Sequence, residues 1–158
     1  MPDHSSLAIA NEFLRRCAES VWPAQMKIQK LAYIAHGWNL AINDSALIDE
    51  APEAWDNGPV FRGIWNHVRD HGYRGENCIL IDPKSKSEFD AELSAGEQAV
   101  VEHVWRRYGH MNAKELSDLT HEPDTPWSEA YLQRGRNAHL SNDRIKEHYT
   151  NIAITSRG

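Results

Sequence analysis

The chain is poor in the residues and runs that mark several large classes of protein. Its two cysteines, Cys17 and Cys78, are far apart and form no CxxC pair, so neither a zinc ribbon nor a disulfide scaffold is encoded. They are expected to be buried free thiols. Positive charge is in deficit: 17 Lys and Arg stand against 23 Asp and Glu, a formal net charge of −6. A general polyanion or membrane-surface binder needs the opposite field. The nearest approach to a basic patch is Arg134 and Arg136 with Arg106 and Arg107. The N-terminus MPDHSSLAIANEF has no basic stretch before its first apolar residues, and no window approaches the roughly 20 apolar residues of a membrane span. A cytoplasmic protein is expected. Nucleotide and hydrolase signatures are missing too: no GxGxxG, no GxxxxGK[ST], no GxSxG, and His121-Glu122 is followed by Pro123 rather than by the helix that HExxH requires.

What is present is a series of helical patterns. The length of 158 residues fits one domain, 1–158, with an apolar share of 41% that can fill a core. Ile9, Ala10, Phe13, Leu14 and Cys17 predict an amphipathic helix over 6–20, with Ser5 or Ser6 at its N-cap. Ile28, Leu31, Ala32, Ala35, Trp38 and Ile42 mark one face of a helix over 24–42, leaving Lys27, Lys30 and Asn39 off that face. Gly37 inside it implies a close crossing by another element. Residues 46–56 are expected to be extended, and Asn57-Gly58-Pro59 to turn the chain, with Pro59 opening a helix that buries Phe61, Ile64, Trp65 and Val68 and stops at His71-Gly72. The stretch Cys78-Ile79-Leu80-Ile81 reads as a short strand pairing with residues 46–48 or with the segment before Trp55. Ser94 and Glu97 form a capping box for a helix over 95–108 that turns Val101, Val104, Trp105 and Tyr108 inward. Asn112 with Glu115, Thr125 with Pro126, and Ser141 open three more. The fold class is therefore mainly α: a compact bundle of about six or seven helices with at most one small β element.

Chemistry is harder to find. His67 and His71 at i, i+4 could face one ion, but histidines in a last helical turn also meet the carbonyl end favourably. No catalytic residue, cofactor site or metal site is assigned. Six Trp are the distinctive feature. Trp38, Trp65 and Trp105 fall on apolar helix faces. Trp22, Trp55 and Trp127 sit at helix entries or turns, as staples for irregular segments or as interface anchors, with staples preferred.

Three blocks in order resemble the Panacea domain, the SocA-like antitoxin family also described as GepA-like phage-associated proteins. The first carries Gln29, Lys30, Leu31, Tyr33, Ala35, Gly37, Trp38 and Ala41; the second Glu53, Ala54, Trp55, Gly58, Pro59 and Val60; the third, THEPDTPWSEA, carries His121, Pro126, Trp127 and Ala130. The departures are modest: Trp65 stands near where Tyr or Phe is common, and PDTP replaces a Gly-Pro turn. The resemblance implies an antitoxin that neutralises a cognate protein toxin, usually encoded by an adjacent gene, through protein contact: direct sequestration or delivery to a cellular protease. It supplies no catalytic residue. Two other readings are kept beside it: a nucleic-acid-binding regulator, and an enzyme whose pocket would bring together Tyr33, His36, His121 and Glu122.

Overall fold

The computed structural model describes residues 4–17, 25–72 and 79–155. Among them are seven helices and one two-stranded sheet: α1 (Ser6–Arg16), α2 (Gln25–Asn43), β1 (Glu53–Trp55), β2 (Gly58–Val60), α3 (Arg62–His71), α4 (Ala95–Tyr108), α5 (Ala113–Thr120), α6 (Pro126–Arg134) and α7 (Asn142–Thr155). This is the mainly α class the patterns predict. Trp22 and Cys78 lie outside the described residues.

Every expected cap that can be checked is in place. Ser5 Oγ accepts from the Ala8 N–H, and reciprocal capping boxes close at Ser94–Glu97, Asn112–Glu115 and Thr125–Ser128. Ser141 accepts from the Arg144 N–H at 3.4 Å at the start of α7. The helix predicted over 6–20 stops at Arg16, and Cys17 is its extended C-cap, half-buried, with its thiol pushed up by burial.

α2 is the axis of the molecule. Every residue from Ile28 to Leu40 is buried, whereas Ile42, assigned to its apolar face, is 56% exposed. α1, α3, α4, α5 and α7 all pack around it. The expectation that Lys30 and Asn39 lie off the buried face is corrected: both are fully buried. They are tolerated because the neighbours on that side are irregular backbone with free polar groups, which α2 side chains satisfy. Asn39 donates to the Ser45 carbonyl at 2.8 Å. His36 Nδ1 accepts from the Ile48 N–H at 3.2 Å, which places the proton on Nε2, 2.8 Å from Asn142 Oδ1. The close crossing implied by Gly37 is made by α7, whose Tyr149 ring occupies the place a Cβ would take.

The extended segments pair differently from expectation. Pro59 does not open α3; it is the middle residue of β2, and Arg62 begins the helix. Ile79 and Leu80 are buried but form no strand with residues 46–48 or with β1. Ile81 bridges antiparallel to Glu88 instead, and Asn11 of α1 braces that pair: its carboxamide accepts from Leu80 N–H at 2.8 Å and donates to the Leu80 and Phe89 carbonyls, both at 2.9 Å. The 46–48 segment pairs instead with His4, in a parallel bridge to Ile48. Trp65 and Trp105 are only half-buried.

Candidate functional site: the clamped hairpin

The segment EAWDNGPV folds as a hairpin, β1 against β2, with Trp55 opposite Gly58 across Asp56-Asn57. Gly58 has φ +115°, a backbone conformation that costs glycine least. A side chain there would also meet Lys30 Cε at 2.8 Å and Thr120 Oγ1 at 3.2 Å.

An isolated two-stranded hairpin is marginal in water, and this one is held by three helices and by residues 137–140. From α2, Gln29 acts as a strand in miniature: Phe61 N–H donates to its Oε1 at 2.9 Å while its Nε2 donates to the Phe61 carbonyl at 3.1 Å. Lys30 Nζ, one residue on, donates to the Pro59 carbonyl at 3.0 Å and to Met26 Sδ at 2.8 Å. Burial without a carboxylate partner lowers the Lys30 ammonium to about 7. From α5, Ser117 Oγ donates to the Asn57 carbonyl at the turn. From α6, Trp127 Nε1 donates to the Trp55 carbonyl at 2.6 Å, with its ring stacked on Tyr131 and edge-on to His121 at 5.2 Å. Pro126, buried, opens α6, and Val60 is 1% exposed. Residues 137–140 flank the free side of β1, through Ala54 N–H to Ala138 O and Asn137 N–H to Ala54 O.

On its outer side the hairpin carries a half-buried aromatic pair, Trp55 edge-on to Trp65 at 5.3 Å. The Arg62 guanidinium covers Trp55 at 5.3 Å and Arg69 covers Trp65 at 4.9 Å. Glu53 receives Arg62 through two bonds of 2.9 and 3.0 Å and the Trp55 indole at 3.0 Å. Burial raises its carboxyl, but Arg62, Trp55 and His139 together hold it below the ordinary range. Asp56 at the turn accepts the Tyr131 hydroxyl at 2.7 Å and two Arg136 bonds at 2.8 Å.

The fold therefore brings Gln29, Lys30, Trp55, Gly58, Pro59, Val60, His121 and Trp127 to one corner. It does not bring Tyr33, Gly37 and Trp38 there. Tyr33 is fully buried against Tyr149, and its hydroxyl, raised by burial, has no hydrogen-bond partner among the described residues. Trp38 donates to Tyr108 Oη at 3.2 Å on the α4 side. Sequence reasoning missed Ser117, Thr120 and Tyr131, which carry no periodic signal distinguishing them from an ordinary helix face.

Of the four residues of the enzyme reading, Glu122 is exposed and the other three are held by different neighbours. His36 meets Ile48 and Asn142, Tyr33 meets Tyr149, and His121 meets Ser117 and Trp127. The His67 and His71 rings lie 4.9 Å apart, tilted by 46°, and among the described residues no group of three or more His, Cys, Asp or Glu is placed to hold a metal ion. Of the basic residues, Arg134 donates to the His139 carbonyl and Arg136 to Asp56. No described helix is long and apolar enough to cross a membrane.

A small helical domain built around a clamped Trp-Gly-Pro hairpin is the class defined by this geometry. Residues 28–128 match the family model described as antitoxin SocA-like, Panacea domain, and the chain belongs to that family. It is 27% identical over 134 residues to antitoxin SocA of Caulobacter vibrioides (strain NA1000 / CB15N), an alignment covering 76% of this chain and 66% of that protein. No solved structure matches.

Proposed function

We propose that this chain is the antitoxin of a bacterial or phage toxin–antitoxin pair. It acts in the cytoplasm as a non-enzymatic binding protein that neutralises a cognate protein toxin by direct contact, through sequestration or through delivery to a protease. Membership of the SocA-like family carries the reading. Two features of the geometry support it. The motif residues are used to build a corner, with Gln29, Lys30 and Trp127 all turned onto carbonyls in or next to the hairpin. Two of the four arginines nearest to a basic patch, Arg134 and Arg136, are engaged within the chain, which favours a protein over a nucleic acid as partner.

The test is expression of the adjacent open reading frame alone and together with this chain, following growth and copurification. Growth arrest by the neighbour, rescue by this chain and a stable complex are expected. A harmless neighbour, or rescue without contact, would overturn the reading. A shift of promoter DNA at moderate salt by the chain alone would favour the regulator instead.

A further inference from the structure

The turn that joins α5 to α6 and the outer face of α6 form a groove of about 350 Å3. Its helical wall is Ser128, Glu129, Leu132 and Gln133, spaced i, i+1, i+4 and i+5 and so on one face. Its other wall is the turn itself, with His121, Pro123 and Asp124. The Trp127 ring, half-buried between His121 and Tyr131, lines it as well. These walls are fixed before anything enters. The Thr125–Ser128 capping box sets the start of α6, and Trp127 is tied to the Trp55 carbonyl. Arg144 of α7 donates to the Asp124 carbonyl at 3.2 Å and pairs with the Glu129 carboxylate.

Two things at this groove are left unmatched by the fold. Leu132 is 80% exposed, more than any other large apolar residue described. The carboxylates of Glu122 and Asp124, on either side of Pro123, are exposed and have no hydrogen bond or ion pair among the described residues. The Lys and Arg side chains of the adjoining helices are engaged elsewhere. Lys114 of α5 pairs with Asp118, Arg134 of α6 donates to the His139 carbonyl, and Lys146 of α7 pairs with Asp44. Arg144 is held by Asp124 O and Glu129. The complementary partner therefore brings positive charge to the turn and an apolar side chain to Leu132. From Thr125 to Leu132 is roughly 10 Å along the helix axis. A metal ion or a small organic cation at the turn would leave Leu132 wet. A polypeptide reaches both, with its cationic and apolar side chains about three residues apart if it is extended.

We propose that this groove is the docking site for a basic segment of the toxin. The segment sets a Lys or Arg against Glu122 and Asp124 and an apolar side chain against Leu132 and Trp127. The proposal rests on the antitoxin reading and locates its contact surface. The whole-molecule charge of −6 favours approach of the same kind of partner; the groove sets the local match once the two touch.

The test uses the full chain coexpressed with the protein encoded by the adjacent gene. Leu132→Lys removes the apolar contact and repels a basic segment. The double variant Glu122→Gln/Asp124→Asn removes charge while keeping shape, and Asn tolerates the φ of +63° at position 124 as Asp does. Ile154→Lys, the same kind of change at a 64% exposed residue of α7 outside the groove, is the control. Melting temperatures are measured for all three; should Leu132→Lys melt early, the double variant decides alone. Leu132→Lys is expected to weaken the complex roughly tenfold or more and to abolish growth rescue, while Ile154→Lys rescues normally. The double variant is expected to bind about tenfold more weakly than wild type at about 50 mM salt, with the difference shrinking at about 0.5 M salt as the wild-type charges are screened. If Leu132→Lys and the double variant bind and rescue as wild type does, this docking site is wrong and the antitoxin reading stands. Loss with Leu132→Lys alone, with the double variant binding normally at both salts, would refute a basic occupant. If wild type itself neither binds nor rescues, both readings fall. A wild-type dimer in sedimentation that Leu132→Lys converts to monomer, with rescue intact, would assign the groove to a second copy and overturn the proposal.

Discussion

Lys30 is the most unusual single residue. Its amine is enclosed with two neutral acceptors, Pro59 O and Met26 Sδ. Its folded value of about 7 lies below the ordinary 10.5, so between those limits the unfolded chain binds more protons than the native one. Stability must then rise with pH across that window, by an amount on the order of a few kcal/mol, and is flat in this respect below it. Tyr33 and Tyr149, pushed up by burial, act in the opposite sense only above about pH 10. Urea denaturation at pH 6.5, 8 and 9.5 should show the rise in wild type, and Lys30→Met should abolish it while being the more stable protein at pH 6.5. An unchanged slope in the variant would remove Lys30 as its cause. None of this was legible in the sequence. Lys30 and Asn39 read as the polar side of an amphipathic helix because period alone cannot distinguish water from the carbonyls of a neighbouring segment.

Between elements, the central contact is α2 with α7, set by Gly37 under the Tyr149 ring. Gly37→Ala improves helix propensity by roughly 1 kcal/mol in isolation. Here it drives a methyl into an aromatic ring, and overpacking of this kind costs about 1–3 kcal/mol. Thermal melts should therefore show a net loss, and a double variant with Tyr149→Leu should recover part of it. A Gly37→Ala protein that melts above wild type would mean the crossing is looser than described. Elements were the most readable scale. Each cap rests on two residues a few positions apart, so Ser94–Glu97 and Asn112–Glu115 could be placed from sequence. The strand partners could not be, because Asn11 and Gln29 bind the extended segments from distant helices. Pro59 was misplaced for a related reason: proline suits the first turn of a helix and a short edge strand equally well, and only the Gln29 clamp on Phe61 decides between them.

For the molecule as a whole, burial is concentrated on one helix. Amides of α2 between Leu31 and Leu40 should exchange hydrogen only through global unfolding, whereas 81–93, mostly exposed and tied down chiefly through Asn11 and Arg15, should open locally. Hydrogen exchange read by mass spectrometry checks this, and comparable protection in the two regions would contradict a hierarchy centred on α2. The family resemblance was legible at this scale because three separated blocks occur in one order, and the fold explains two of them together with part of the first: their side chains meet at the hairpin. A groove between α2, α4 and α7, lined by Trp38, Gly96, Ala99, Val100 and Ala153 among others, was not legible. It is formed by what Gly96, Ala99 and Ala153 omit, and a missing side chain leaves no periodic mark.

The late position of α7 in the chain has a consequence for synthesis. Tyr149 covers Gly37, and Asn142 Oδ1 accepts from His36 Nε2, so the flank of α2 is closed by residues translated after α1 to α6. A nascent chain that has released everything through α6 still exposes that flank. Chaperone capture or proteolysis on the ribosome would act within that interval, and its length depends on how quickly α7 is translated.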